Sequence, residues 1–209
     1  MEFTEKQHHI LDVAEELFAQ NGFNGTSVRD IAKDAGVNIA MISYYFGSKE
    51  KMLEALFIRR ANDVKIQIEG ILNDAKLDSL AKVYKLIDGY IDRIMRQTNF
   101  HKIMVREQIG TRENEISQLI KETKQRNKNL VASIIYEGQK KGVFRKGVDI
   151  PLLMTTLFGT CNQMLTTSGY YKESNNLQHM SDEEFATHIR KKLSTHLKKV
   201  FKAILTNED

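Results

Sequence analysis

Helix breakers, cross-links and strand patterns are all scarce in this chain of 209 residues. It has one Pro and 12 Gly. Little therefore interrupts long helices, since Pro removes a helix donor and Gly loosens the backbone. A single cysteine, Cys161, excludes an intrachain disulfide and fits a reducing compartment, the cytoplasm. No signal peptide opens the sequence, because MEFTEKQHHI is polar and acidic. The uncharged run from Ile150 to Tyr171 is long enough to span a membrane by length alone. Nearly half of it is polar or Gly, including Thr155, Thr156, Gly159, Asn162 and Gln163. It fits a helix buried within protein. No convincing apolar–polar alternation occurs anywhere. Apolar residues recur at helical spacing instead, so the chain is expected to be all-α.

What is present is ordinary for a globular protein: 41% hydrophobic and 28% charged residues, enough for one large domain or two small ones. The net charge of +4 mildly favours an anionic partner. Its distribution is uneven. Residues 1–50 hold four basic and eight acidic residues, a net of −4, which leaves +8 for the remainder. Within those fifty residues the acids gather between Glu2 and Glu16, and Val37 to Ser48 contains none. A helix that lies among phosphates should lack carboxylates, which the backbone would repel.

Residues 27–50, SVRDIAKDAGVNIAMISYYFGSKE, carry the most information. Ser27 with Asp30 makes a capping box with a shorter acid. Val28, Ile31 and Ala32 then follow at helical spacing. Gly36 ends this first helix, and Asn38 caps the next. Ile42 and Phe46, at i and i+4, give that second helix one buried side. Two helices joined by a short Gly-containing turn form a helix-turn-helix, whose second helix enters the DNA major groove. The outer side then offers Asn38, Ile39, Ala40, Met41, Ser43 and Tyr44. Asn can pair with adenine, Ser can bond several base edges, and Ile, Ala or Met can touch thymine methyls. No Arg is present for guanine.

The stretch Ile10 to Leu53 resembles the DNA-binding domain of TetR-family transcriptional repressors. The resemblance rests on AEELFAQNGF at 14–23, TS at 26–27, DIAKDAGV at 30–37 and YYFGSKEKML at 44–53. It runs without a gap through three helices and the start of a fourth. One position departs: the family usually has Tyr where this chain has Ser43, so a contact assigned to that Tyr is not carried over. The resemblance implies that Tyr45 and Lys49 hold the DNA backbone. Lys49 also lies in the first turn of helix 4, whose N-terminus attracts phosphate. Ser27 can bond phosphate through its hydroxyl or amide as well as cap its helix. Tyr45 can equally be a core residue.

The resemblance further implies a helix-turn-helix domain over residues 1–50, with the motif at about 27–46. Residues 51–209 would form a ligand-binding and dimerisation domain. There the sequence matches the family only in pattern. Helix 1 is expected from about Thr4 to Asn21, and helix 4 from Ser48 to about Leu72 with no linker before it. Such a continuous helix would transmit motion as a rod. Leu77 to Gln97 is amphipathic, and a short segment runs from Phe100 to Ile109. A long helix should cover about Glu113 to Lys141. Asp149 caps a helix with Pro151 in its first turn. The segment 167–179, TSGYYKESNNLQH, reads as a loop. A capping box of Ser181 and Glu184 opens the last helix.

Two seams recur near the heptad period. Leu153, Leu157, Cys161, Met164 and Leu165 form one, beside Gly159. Phe185, Ile189, Leu193, His196, Val200 and Ile204 form the other. They suit either a homodimer interface, with Leu153, Leu157, Cys161, Ile189, Leu193 and Val200 at its centre, or a monomer core. The dimer is favoured because one short helix-turn-helix reads too few bases alone. Tyr84, Ile91, Met95, Met104, Phe158 and Met164 suit an apolar effector pocket or a solid core. Asp88 would be a polar anchor in that pocket or face water.

No catalytic constellation appears. The six His lack metal-ligand spacing, and there is no nucleophile elbow, Gly-rich phosphate loop, Cys pair or HExxH. The expected partners are operator DNA, a small-molecule effector and a second copy of the chain, with no cofactor, metal or membrane. An enzyme built on a helical bundle and a helix-turn-helix that docks protein are the two alternatives. A salt-dependent DNA shift separates both from the main reading.

Overall fold

The computed structural model describes residues 3–109 and 115–206. Among them are ten helices and no strand. The helices are α1 (Glu5–Asn21), α2 (Val28–Asp34), α3 (Ile39–Phe46), α4 (Lys49–Asn73), α5 (Ser79–Arg96), α6 (Thr98–Ile109), α7 (Glu115–Lys140), α8 (Ile150–Thr166), α9 (Ser168–Ser174) and α10 (Asp182–Leu205). The expected start of the long helix at Glu113 lies outside the described residues. The chain divides into two compact units, residues 1–64 with 97–125 and residues 65–96 with 126–209. Both α4 and α7 contribute to each unit.

In the first unit the apolar stripe of α1 sets the core. Ile10, Leu11, Ala14 and Phe18 are buried, and around them pack Ile31 and Ala32 of α2, Ile42 and Phe46 of α3, and Met52, Leu53 and Leu56 of α4. Ile103 of α6 and Ile116 and Ile120 of α7 complete it. The helix ends follow the sequence signals. Thr4, Ser27 and Asn38 cap α1, α2 and α3, and Gly22, Gly36 and Gly47 follow their last turns with positive φ.

The last turn of α1 has no basic residue of its own, so its carbonyls find partners elsewhere. The buried Thr26 hydroxyl donates to the Leu17 and Gly22 oxygens at 3.1 and 2.9 Å. Arg106 of α6 donates to the Phe18 and Ala19 oxygens at 3.2 and 2.9 Å. A cation there also suits the negative end of the helix dipole.

The acids of α1 are explained by α4. Glu15 is buried and its carboxylate accepts from Arg60 at 2.7 and 3.0 Å. Arg59, also buried, reaches Asp12 at 2.8 Å and Glu15 at 3.5 Å.

In the second unit α5 is clamped to α10. Arg190 donates two bonds to Asp92, at 2.6 and 3.0 Å. Asp88 accepts from Ser194 at 2.6 Å and from Lys198. The buried Lys82 of α5 donates to the Leu72 carbonyl at 2.8 Å, near the end of α4, and to Glu137 of α7 at 3.0 Å. Phe144 folds back onto α7, where Gly138 leaves it room; a Cβ there would lie 2.1 Å from its ring.

One expectation fails in this unit. The segment 167–179 is not all loop, because residues 168–174 form α9. This helix has no side-chain cap and no buried residue, so neither signal used for the other helices exists in its sequence. Contacts distant in sequence hold it instead. The Tyr171 ring lies 6.5 Å from that of Phe185, and Lys172 sits over the Phe185 ring and 3.5 Å from Asp182. The uncharged helix accordingly stops at Thr166 rather than running to Tyr171.

Removing one partner of a buried ion pair leaves the others uncompensated, which costs about 3 kcal/mol or more. Glu15→Ala should lower stability by about that amount in urea denaturation followed by circular dichroism. A loss below ~1 kcal/mol would show that Arg59 and Arg60 do not depend on this carboxylate.

Candidate nucleic-acid interface

The eight residues of α3 carry no charge, and only Ile42 and Phe46 point fully into the core, at 1% and 9% exposure. The opposite face is open. Tyr44 is 83% and Ile39 42% exposed, and Asn38, Ala40 and Ser43 are exposed beside them. Met41 is half-buried. The Asn38 side chain accepts from the Ala40 amide at 3.0 Å, as its capping role requires. Its amide group keeps its donors. Tyr45 is half-buried and packs against the core cluster, with its ring 5.3 Å from that of Tyr44.

Two positions expected at phosphates have other partners. The amide and hydroxyl of Ser27 both donate to one oxygen of Asp30, at 2.9 and 2.6 Å. These bonds hold the Asp30 carboxyl below its usual range. Neither Ser27 donor points outward, so phosphate binding through them would first have to break the capping box. Lys49 is half-buried. Its ammonium donates to the carbonyls of Phe23 and Thr26 at 2.8 and 2.9 Å and lies 4.3 Å from the Phe23 ring centre. Two of its three N–H groups are thus spent tying the start of α4 to the loop before α2.

The residues considered for an effector pocket do not form one set. Met104 packs against the core of the first unit. The other six belong to the second unit, where Ile91 is fully buried and Tyr84, Asp88, Met95, Phe158 and Met164 are half-buried. Asp88 is engaged by Ser194 and Lys198, and the Lys198 ammonium also lies 5.6 Å from the Tyr84 ring centre. Those two residues therefore serve α5–α10 packing. Phe158 faces Tyr90, with ring centres 4.8 Å apart, and the Arg93 guanidinium lies 5.4 Å over the same Tyr90 ring. Tyr90 and Arg93 escaped the sequence reading because they flank the apolar stripe of α5. Their i, i+3 spacing and unlike chemistry were the available signal.

Most of the seam residues are interior. Leu153, Leu157, Cys161, Ile189 and Leu193 are all buried within one chain, and Val200 is half-buried. The first five fill the chain's own core and leave little area for a second copy to cover. On α10 the buried stripe continues from Ile189 and Leu193 through Leu197, Phe201 and Leu205, whereas His196 is exposed and Val200 and Ile204 are half-buried, so only the first part of that seam packs against its own unit. No group of three or more His, Cys, Asp or Glu able to hold a metal occurs among the described residues, and no helix there is long and apolar enough to cross a membrane.

A short uncharged helix, seated on a three-helix core and open on one side, defines a helix-turn-helix DNA-binding protein. Residues 10–56 match the bacterial regulatory proteins of the tetR family, and residues 57–191 match the C-terminal region of YsiA-like proteins. The chain is 31% identical over 164 residues to the fatty acid metabolism regulator protein of Bacillus subtilis, covering 78% of this chain and 82% of that one. It is 27% identical over 161 residues to the transcriptional repressor KstR2 of Rhodococcus jostii, covering 74% and 76%. Among solved structures it is similar to the transcriptional regulator FadR of Bacillus subtilis in complex with stearoyl-CoA. That likeness has a TM-score of 0.68 and 25% identity, over 92% of this chain and 96% of that one. KstR2 of Mycobacterium tuberculosis shares the fold, with a TM-score of 0.72 and 18% identity over 99% and 98%. The chain belongs to the TetR family and is a DNA-binding transcriptional regulator.

The Lys49 geometry makes a prediction independent of DNA. Lys49→Met keeps the stem over Phe23 but leaves two carbonyls without their donor. The protein should lose about 1–3 kcal/mol of stability, the cost of removing one partner from part-buried hydrogen bonds. Thermal unfolding measures this. An unchanged midpoint would mean that water replaces the ammonium and that Lys49 has no structural role.

Proposed function

We propose that this regulator is a cytoplasmic homodimeric repressor that leaves a palindromic operator when an apolar effector binds. Residues 1 to about 50 would hold the DNA, with α3 in the major groove. The observation that carries this is the outward face of α3: Asn38, Ile39, Ala40, Ser43 and Tyr44 stand free on a helix whose other side is fixed by Ile42 and Phe46. Tyr45 and Lys49 would meet phosphates beside it, Lys49 with the N–H that Phe23 and Thr26 leave over. Residues 51–209 would dimerise and take the effector.

The dimer surface is better sought on the open side of α8 than on its buried seam. Leu152 is 64% exposed there, Thr155 and Gly159 are exposed, and apart from its chain neighbours and the nearby backbone of its own helix no described atom lies within 4 Å of a Cβ built on Gly159. A second copy can approach closely at such a glycine.

The effector class is suggested by the relatives. One is named for fatty acid metabolism and a similar structure holds stearoyl-CoA, so a long-chain acyl thioester is the reading best supported. Linkage gives the mechanism. DNA prefers one arrangement of the dimer and the effector another, so each weakens binding of the other by the same factor. A gel shift with genomic fragments tests the whole reading. The protein should retard specific fragments in a salt-dependent manner, and stearoyl-CoA should release them where coenzyme A alone does not. Retention of the complex at saturating stearoyl-CoA would rule out that effector class.

Direct readout by α3 should favour A·T pairs, since Asn38 suits adenine and Ile39, Ala40 and Met41 suit thymine methyls. Ser43→Ala and Tyr44→Ala should each cost about 1–3 kcal/mol of discrimination at one base pair per half-site, with the fold intact because both side chains are exposed. Selection on random DNA measures it. Half-sites dominated by G·C opposite α3 would contradict this readout and turn attention to the exposed Arg29.

A further inference from the structure

Three charge pairs of the second unit are made across helices: Arg190 with Asp92, Lys198 with Asp88 and Lys82 with Glu137. A different kind of cluster lies where α4, α5 and α8 contribute Gln67, Tyr90, Arg93, Phe158 and Cys161. Arg93 donates to the Gln67 side-chain oxygen at 2.7 Å and rests over the Tyr90 ring. Gln67 is itself seated. A Cβ on Gly89 would lie 2.1 Å from the Gln67 side-chain nitrogen, so glycine at 89 is what lets Gln67 cross α5 there. The Tyr90 ring packs on Phe158, and Cys161 is fully buried.

The Tyr90 hydroxyl is the member without a role in the fold. It has no hydrogen bond to a described residue, and its oxygen is not one of the fully buried polar atoms that lack a partner, so a ligand can reach it. A part-buried phenol normally finds a partner. Burial, with Cys161 nearby, raises its pKa, so it remains a neutral donor at physiological pH. Burial likewise pushes the Cys161 thiol up to about 12, so no thiolate competes for that proton. The cluster therefore presents one O–H donor beside a fixed guanidinium, against an aromatic wall. That combination fits an oxygen acceptor at the head of an apolar chain.

We infer that the Tyr90 hydroxyl, aligned by the Arg93–Gln67 pair over Gly89, donates a hydrogen bond to the acyl oxygen of the effector. The inference rests on the acyl reading above and adds the residue that recognises the polar end. The acceptor is a carbonyl oxygen if the ligand is a thioester and a carboxylate oxygen if it is a free acid. Arg93, Gln67 and Gly89 act as positioning residues.

Calorimetric titration of the full chain with stearoyl-CoA and, separately, with stearate decides it. Tyr90→Phe retains the ring on Phe158 and removes only the donor. It should weaken binding about tenfold, the size of one good hydrogen bond, with unchanged melting and unchanged operator affinity in the absence of ligand. The ligand that shows the loss identifies the acceptor. Tyr170→Phe, at a ring that is 73% exposed, should change nothing. Equal affinity of the wild-type protein and Tyr90→Phe for a ligand that does bind would overturn this inference alone. So would an equal loss in Tyr170→Phe. Failure of the wild-type protein to bind either compound would overturn the acyl reading together with it.

Discussion

Burial of Ile42 and Phe46 is the constraint on which the proposed DNA-reading surface depends. An eight-residue helix is too short to persist alone in water. It exists here because two side chains one turn apart enter the core made by α1, α2 and α4. The same burial fixes its rotation. With residues 42 and 46 inward, residues 39, 43 and 44 have no choice but to face out. In the proposed readout, recognition specificity is thus set by packing before any base is touched.

The core would not hold α3 in one place if its own helices slid. Polar contacts prevent that. Thr26 and Arg106 occupy the carbonyls at the end of α1. Glu15 binds α1 to Arg59 and Arg60 of α4, and Lys49 binds the start of α4 to the loop before α2. Apart from those of Thr26, these bonds join elements distant in sequence, and each uses a group whose loss would strand a partly or fully buried partner. The acids of residues 2–16 belong to this bracing. The net negative charge of the first fifty residues is therefore compatible with DNA binding, since Glu15 and Asp12 face arginines of α4 rather than the outer side of α3.

Local signals were legible in the sequence and distant ones were not. The caps at Ser27, Asn38, Asp149 and Ser181 and the glycine at 36 marked helix ends correctly, because capping is decided within four residues. The outward face of α3 followed from one i, i+4 pair. Helix α9 was missed because its stabilising contacts come from Phe185 and Asp182. The seams on α8 and α10 were correctly seen as apolar. Periodicity cannot tell a stripe that meets its own chain from one that meets another: Leu157 and Leu193 are buried in their own chain, whereas His196, Val200 and Ile204 lie beside the buried stripe of α10 rather than on it. Lys49 and Ser27 illustrate the same limit: sequence shows a donor but not which acceptor takes it.

The central claim is that the outer side of α3 lies against operator DNA and leaves it when effector binds. A photo-crosslinking residue placed at Tyr44, exposed on that face, tests this most directly, with Tyr170, also exposed but in the second unit, as its counterpart. The account predicts crosslinks from position 44 to major-groove positions of the operator, absent from position 170 and lost on addition of stearoyl-CoA. Crosslinks that form from position 170 and not from position 44 would contradict it.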